Sequence, residues 1–226
     1  MRAVDPRIAL AARNNAEWCD TVTRSWGGHG RFEPEVWINP GEAPPFYPNA
    51  VTLVPTEHVP AAISAAEGDF AVKDSFAVLD LAPLGYAPLF DAHWIWRDPQ
   101  PLAKSSAAVW RIVGDAESLV RWEVAWRNGE PPLEQFQPAL LQEPDHAFIA
   151  VEAEEEIVAG CVASRSAAVV GVSNLFGPDD LAAGCLAAVQ DFAPGLPVVG
   201  YEQAPALALM KRLGFQDLGP LRVWSR

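Results

Sequence analysis

The order in which the hydrophobic period changes along residues 110–226 is the tightest constraint on what this chain can fold into. Ala116 to Asn128 carries an apolar stripe at Leu119, Val120, Trp122, Val124 and Trp126 and stops at Gly129, which predicts a helix. Ala147 to Glu152, Ile157 to Arg165 and Ala168 to Phe176 are short runs rich in Val and Ala, which predict strands, and Glu154-Glu155-Glu156 reads as a charged hairpin turn between the first two. Leu181 to Phe192 predicts a helix capped by Asp179 or Asp180. Leu196 to Gly200 reads as a strand, Pro205 to Leu213 as a helix closed by Gly214, and Gln216 to Trp224 as a last strand. Helix, three strands, helix, strand, helix, strand is an α/β (α+β) order with a mixed sheet flanked by helices.

The first hundred residues are less regular. Ile8, Ala11, Ala12, Asn15, Ala16, Cys19, Val22 and Trp26 recur at helical spacing and end at Gly27-Gly28, so a helix is expected from about Asp5 to Trp26. Arg31 to Pro60 holds seven prolines around one short apolar run, Ala50 to Val54, and predicts a long ordered loop with a single strand. Pro60 is expected to open a short helix through Glu67. Asp69 to Leu81 reads as a strand and Tyr86 to Arg97 as its partner, with residues 98–104 as a linker. The expected organisation is an N-terminal half over residues 1–100 and a second unit over residues 101–226.

Charge and composition narrow the function classes. Sixteen basic against 29 acidic residues give a net charge of −13, and no basic run offers a local exception, so neither nucleic acid nor an anionic membrane surface is an expected partner. No apolar stretch approaches the roughly 20 residues that cross a bilayer, and the N-terminus lacks the pattern of a secretory signal, so a cytoplasmic location is expected. Cys19, Cys161 and Cys185 form neither a disulfide framework nor a metal spacing. His29, His58, His93 and His146 are scattered without an i, i+3 or i, i+4 pair, so no metal is expected. A Cys19–His29 nucleophile is set aside, because helical spacing puts Cys19 on the apolar face. Nine tryptophans imply large buried side chains or an aromatic-lined cleft.

The segment Gln203-Ala204-Pro205-Ala206-Leu207-Ala208-Leu209-Met210-Lys211-Arg212-Leu213-Gly214-Phe215 carries a family resemblance. GCN5-related N-acetyltransferases (GNATs) commonly place an Asn, an Ala three residues on, a Tyr seven residues on and a Gly-Phe after the helix. Ala206 and Gly214-Phe215 match at that spacing, while Gln203 and Met210 stand at the Asn and Tyr positions. Residues 110–226 thus resemble the cofactor half of a GNAT protein. That resemblance implies a GNAT-like sheet and acyl transfer from acetyl-coenzyme A or another acyl-coenzyme A.

The resemblance departs where the cofactor is normally held. The family's Gln/Arg-x-x-Gly-x-Gly/Ala loop presents backbone N–H groups to a pyrophosphate. Here the place reads Leu175-Phe176-Gly177-Pro178-Asp179-Asp180-Leu181, with one glycine, a proline lacking an N–H and two carboxylates at the helix start. Weak or absent coenzyme A binding is the expectation, with the two carboxylates capping the helix themselves. A thioether at Met210 cannot protonate a leaving thiolate, as the family's tyrosine would. An internal echo accompanies the resemblance. Leu84 to Leu89, followed by Trp96 and Arg97, mirrors Leu213 to Leu218, followed by Trp224 and Arg226, which points to a truncated GNAT-like unit in the N-terminal half.

Polar residues that interrupt apolar strands mark the candidate site. Lys73-Asp74-Ser75 breaks the alternation of its strand, Ser173-Asn174 breaks another, and Tyr201-Glu202 ends a third. Glu202 or Asp74 is the expected general base for an amine nucleophile. By the resemblance, Ser173, Asn174 and Gly177 would line the cofactor; Lys73 and Tyr201 are expected to touch substrate in a cleft between the halves. The expected function is a GNAT-like acyltransferase, or a divergent relative, acting on a small molecule. A catalytically silent GNAT-fold module that binds a ligand or a protein is the alternative, and a homodimer is left open.

Overall fold

The computed structural model describes residues 4–100 and 109–226, so part of the expected linker lies outside the described residues. The first element is α1 (Arg7–Ser25), whose buried face of Ile8, Ala11, Ala12, Ala16, Cys19 and Val22 follows the predicted stripe. The proline-rich stretch holds three short strands rather than one: β1 (Arg31–Phe32), β2 (Val36–Ile38) and β3 (Ala50–Thr52). Pro34 falls in the connection between β1 and β2, where a missing N–H costs no ladder bond, so its presence does not forbid the hairpin.

After the single-turn helix α2 (Ala61–Ser64) comes β4 (Ala71–Asp74), much shorter than the strand expected over 69–81. The chain leaves the sheet because the Asp74 carboxylate accepts hydrogen bonds from the backbone N–H of Phe76 at 3.3 Å and of Leu79 at 2.8 Å. Those bonds curl residues 75–79, with Ala77 in the left-handed region at φ 50°. An Asp that captures backbone donors offers the chain an alternative to the ladder.

The remaining elements are β5 (Ala87–Arg97), β6 (Trp110–Ile112), α3 (Ala116–Trp126), β7 (His146–Ala153), β8 (Glu156–Arg165), β9 (Val170–Phe176), α4 (Asp179–Phe192), β10 (Val198–Glu202), α5 (Ala204–Arg212) and β11 (Gln216–Ser225). Asp115 caps α3 by accepting from Ser118 N–H at 2.8 Å. Glu154 and Glu155 turn β7 into β8 with φ of 52° and 71°, the left-handed pair of a tight hairpin.

All the strands join one sheet in the order β1-β2-β3-β4-β11-β5-β10-β9-β8-β7-β6. Exchanging β1–β5 with β7–β11 reverses this order onto itself, β6 excepted. The pairing senses repeat as well: β3/β4 and β9/β10 are parallel, β4/β11 and β10/β5 antiparallel. At the centre β5 and β11 pair antiparallel, so each five-strand set contributes its last strand to the other's side. The sequence echo at 84–89 and 213–218 lies just before and at the start of these two central strands.

Helices cover both faces. α4 and α5 pack Cys185, Leu186, Val189 and Met210 against Ile95, Ile149, Val170 and Val198. On the opposite face α1 lays Ile8, Ala11 and Ala12 over Trp94, Trp96, Val199 and Leu221. α3 and α1 close a third cluster, where Trp122 meets the rings of Phe136, Phe148 and Phe176 edge-on at 5.1–5.5 Å. No helix among the described residues is long and apolar enough to cross a membrane.

Candidate active site

β9 and β10 pair only at Val170↔Val198 and Gly171↔Val199, and then part. The cause lies in β9. Between the pairs Ser173↔Val162 and Phe176↔Gly160, both Asn174 and Leu175 oppose the single residue Cys161, with Asn174 at φ 53°. Such a bulge bends its strand and increases its twist. The polar interruption read from the sequence is therefore the point at which the sheet opens.

Three cavities meet along this opening. One of about 220 Å³ lies between α1 and the parted strands, lined among others by Asn14, Trp18, Trp94, Ser173, Tyr201 and Glu202. It shares Asn15, Trp18, Ser173, Asn174 and Tyr201 with a larger cavity of about 500 Å³ that extends to Lys73, Tyr47 and Trp126. A third, of about 380 Å³, lies between the starts of α4 and α5 and shares Leu175 and Glu202 with the first. Glu202 thus stands where the gap passes between the strands from one helix layer toward the other.

Glu202 is the most perturbed carboxylate of the site. Burial raises its pKa to about 7, and no hydrogen bond or ion pair holds it among the described residues. Desolvation alone disfavours the charged form, leaving a group whose two states are balanced near neutrality. Tyr201, its neighbour on β10, packs its ring edge-on against Trp94 at 5.6 Å and takes the Lys73 ammonium over its face at 4.2 Å. Lys73 Nζ also donates to Asn15 Oδ1 at 2.7 Å, which ties β4 to α1. Above β9, Asn14 Nδ2 donates to the Ser164 carbonyl at 2.8 Å, and a Cβ at Gly171 would overlap Asn14 Oδ1, so glycine is needed for α1 to approach this closely.

The structure gathers Lys73, Ser173, Asn174, Tyr201 and Glu202 at these joined cavities, but Asp74 is not among them. Its side chain is wholly buried under the turn it organises, and burial raises its pKa against the pull of the backbone donors. Asp74 is a turn-forming residue, which corrects its reading as a candidate base. Gly177 lies apart from Ser173 and Asn174, on the third cavity, at φ 107°, where a Cβ would overlap Ala159. The Ser173 hydroxyl is buried without a hydrogen-bond partner among the described residues.

The start of α4 also differs from expectation. Pro178 is the N-cap residue, no side chain caps the helix, and the Asp179 carboxylate instead accepts from Arg212 at 3.2 Å across an exposed surface. Asp179 follows a proline in extended conformation and sits inside the first turn rather than before it, so its carboxylate does not reach the first N–H groups. Met210 is buried among Cys185, Val198 and Phe215 and belongs to the core between α4 and α5.

Sequence reading offered an aromatic-lined cleft as one alternative but missed the residues of its wall, Trp18, Tyr47, Trp94 and Trp126, and the anchoring residue Asn15. Asn15 had a visible signal, since it is a polar residue inside the apolar stripe of α1. Tyr47 and Phe46 had none, because a proline-rich loop carries no period to place them. Among the described residues no three His, Cys, Asp or Glu side chains group as a metal site.

No protein-family model matches the chain, and no curated protein matches it significantly. Solved structures do. A GCN5-related N-acetyltransferase from Kribbella flavida superimposes with a TM-score of 0.62 at 14% identity, covering 95% of each chain. A GNAT-family protein from Novosphingobium aromaticivorans gives a TM-score of 0.57 at 14% identity over 92% of this chain and 96% of the other. A GCN5-related N-acetyltransferase-like protein from Streptococcus suis gives 0.50 at 13% identity, over 97% of this chain and all of the other. At such identities the likeness speaks for architecture, and that architecture extends over both halves of the sheet rather than residues 110–226 alone: this chain has the fold of the GCN5-related N-acetyltransferases.

Proposed function

We propose that the protein is a GNAT-like acyltransferase, or a divergent relative of one, that acts on a small amine-bearing molecule in the cleft between α1 and the parted strands. The observation that carries this reading is Glu202, a carboxylate without a partner among the described residues and with a pKa of about 7, at the waist of an opening between strands. A base balanced near neutrality accepts a proton and releases it again at working pH. The amine nitrogen would give its proton to the Glu202 carboxylate as the nitrogen bonds to the acyl carbon. The acyl–sulfur bond of the thioester donor would then break, and the departing thiolate would take a proton from water while Glu202 returns its own to solvent.

Coenzyme A is the cofactor that this fold implies, and it fits in one part only. An acyl arm could lie in the gap beside Ser173, Asn174 and Leu175, where β9 has left its partner. The diphosphate does not fit the start of α4. Pro178 offers no N–H, and although no side chain caps the helix, Asp179 and Asp180 set two carboxylates in the first turn, where they would repel an anion. The donor this site suits is one gripped by its acyl arm. The free thiols of Cys19, Cys161 and Cys185 accord with a cytoplasmic, reducing location.

Acyl transfer to a panel of primary amines, with S-acetylpantetheine and acetyl-coenzyme A compared as donors, tests the proposal. The two donors should differ in kcat/KM by less than about tenfold, and Glu202→Gln should lower transfer by roughly 10²–10⁴-fold. Transfer at the wild-type rate in Glu202→Gln would contradict the assignment. Absence of transfer from both donors would favour the second reading, a GNAT-fold ligand-binding module.

A further inference from the structure

One cation at the 500 Å³ cavity, Lys73, has no anion beside it. Lys73 is 3% exposed, and its ammonium has one hydrogen-bond acceptor, Asn15 Oδ1, and one ring face, Tyr201. No carboxylate lies within ion-pair distance of it among the described residues, and the remaining ones, 1–3 and 101–108, contain no Asp or Glu. A buried ammonium has three donors to satisfy and an electrostatic cost that a neutral amide and a ring face only partly offset. In a chain of net charge −13, a lone buried cation at a cavity is a specific feature.

The walls of the same cavity are aromatic. Phe46 is 73% exposed and held at φ 65°, a backbone conformation that costs energy for a bulky residue, and its ring meets Trp126 edge-on at 6.1 Å. Tyr47, Trp18 and Phe90 continue the lining inward. Arg127, the other cation there, is already held by Glu130 at 2.8 Å and by the Pro131 carbonyl. A strained, exposed aromatic at the mouth and an unneutralised ammonium within thus line the same cavity.

We propose that this cavity binds an aromatic carboxylate, with the carboxylate on Lys73 and the ring between Phe46, Tyr47 and Trp126. A single available ammonium, with the Arg127 guanidinium already engaged by Glu130, suits a monoanion of carboxylate size better than a phosphate dianion. The inference rests on the acceptor reading of the cleft given above and names its substrate class. If both hold, the acceptor carries an amine toward Glu202 and a carboxylate toward Lys73.

Calorimetric titration with 3-phenylpropionate and with its neutral isostere 3-phenylpropanamide tests it on the intact chain. The acid should bind at least tenfold more tightly than the amide. Lys73→Met, which keeps the length of the side chain and replaces a buried charge by an apolar group, should abolish that preference while the protein unfolds cooperatively as before. Phe46→Ala, at an exposed position, should weaken both probes severalfold. Equal binding of acid and amide, no binding of the acid at millimolar concentration, or an unchanged preference in Lys73→Met would overturn the proposal. Glu202→Gln should leave the binding of 3-phenylpropionate intact. Loss of transfer with retained binding separates the base from the anchor, and retained transfer in Glu202→Gln would refute the base while leaving the anchor standing.

Discussion

Asp74 and Glu202 end two strands that hold equivalent places in the sheet, and their carboxylates have opposite fates. Asp74 pairs in register with Arg222 on β11, and Glu202 with His93 on β5, on either side of the central pair. Asp74 is consumed by the N–H groups of Phe76 and Leu79, while Glu202 has no hydrogen-bond or ion-pair partner among the described residues and lines the gap. The repeated architecture thus holds one carboxylate as a fastening and the other as a titrating group.

The stability of the protein should report this difference through pH. Because burial raises the pKa of Glu202 to about 7, the folded state holds its proton more tightly than the unfolded state does. Stability should therefore fall as pH rises from the ordinary carboxylate range through about 7, and level off above it. Glu202→Gln should remove that slope and be the more stable protein at pH 8 by on the order of 2 kcal/mol, allowing for the partial exposure of the side chain. Urea unfolding at pH 5 and pH 8 on both proteins measures it, and parallel slopes would contradict the buried placement.

Asp74→Ala should act on the fold alone. Removing the carboxylate strands two buried N–H groups, a loss of about 1–3 kcal/mol. Binding of 3-phenylpropionate, referred to the folded fraction, should stay within about twofold of wild type. A selective loss of binding without loss of stability would return Asp74 to the site.

His146 sets the acid limit. Burial lowers its pKa to about 4, its ring sits against Trp18 at 4.9 Å, and Thr21 Oγ1 lies 3.1 Å from its Nε2. An imidazole kept neutral in the folded state contributes stability above its ordinary pKa, and that contribution is lost as pH falls from about 6.5 toward 4. His146→Gln should flatten this part of the pH–stability curve, which thermal unfolding between pH 4 and pH 7 would show.

Two packing substitutions probe the frame of the cleft. Gly171→Ala drives a methyl group into Asn14 Oδ1 and should cost about 1–3 kcal/mol while displacing α1 from β9. Trp122→Ala empties a wholly buried site among three phenylalanines and removes the indole hydrogen bond to the Ile149 carbonyl, at about 3–5 kcal/mol. Chemical denaturation reads both.

The second half of the chain was legible because its elements keep clean periods. The stripe of α3 and the runs of β7, β8 and β9 fall within a few residues of their sequence-derived bounds. The polar breaks at 73, 173–174 and 201–202 fall at the joined cavities, as expected where a polar group inside an apolar strand needs a partner or a cleft. What sequence reading could not supply was long-range pairing. β5 reads as the partner of the strand before it, but it pairs with β10 and β11 instead. Asp74 was misread for the same reason: a carboxylate bonded to N–H groups two and five residues on looks, in sequence, the same as one facing a cavity.

The most direct test of the central claim is to follow the ionisation of Glu202 itself, by infrared difference spectroscopy of wild type against Glu202→Gln, alongside the pH dependence of amine acylation. The account predicts a carboxyl band lost with a midpoint near pH 7, and a rate that rises through the same midpoint and then levels off. A Glu202 that ionises in the ordinary carboxylate range, or a rate indifferent to pH between 6 and 8, would contradict it.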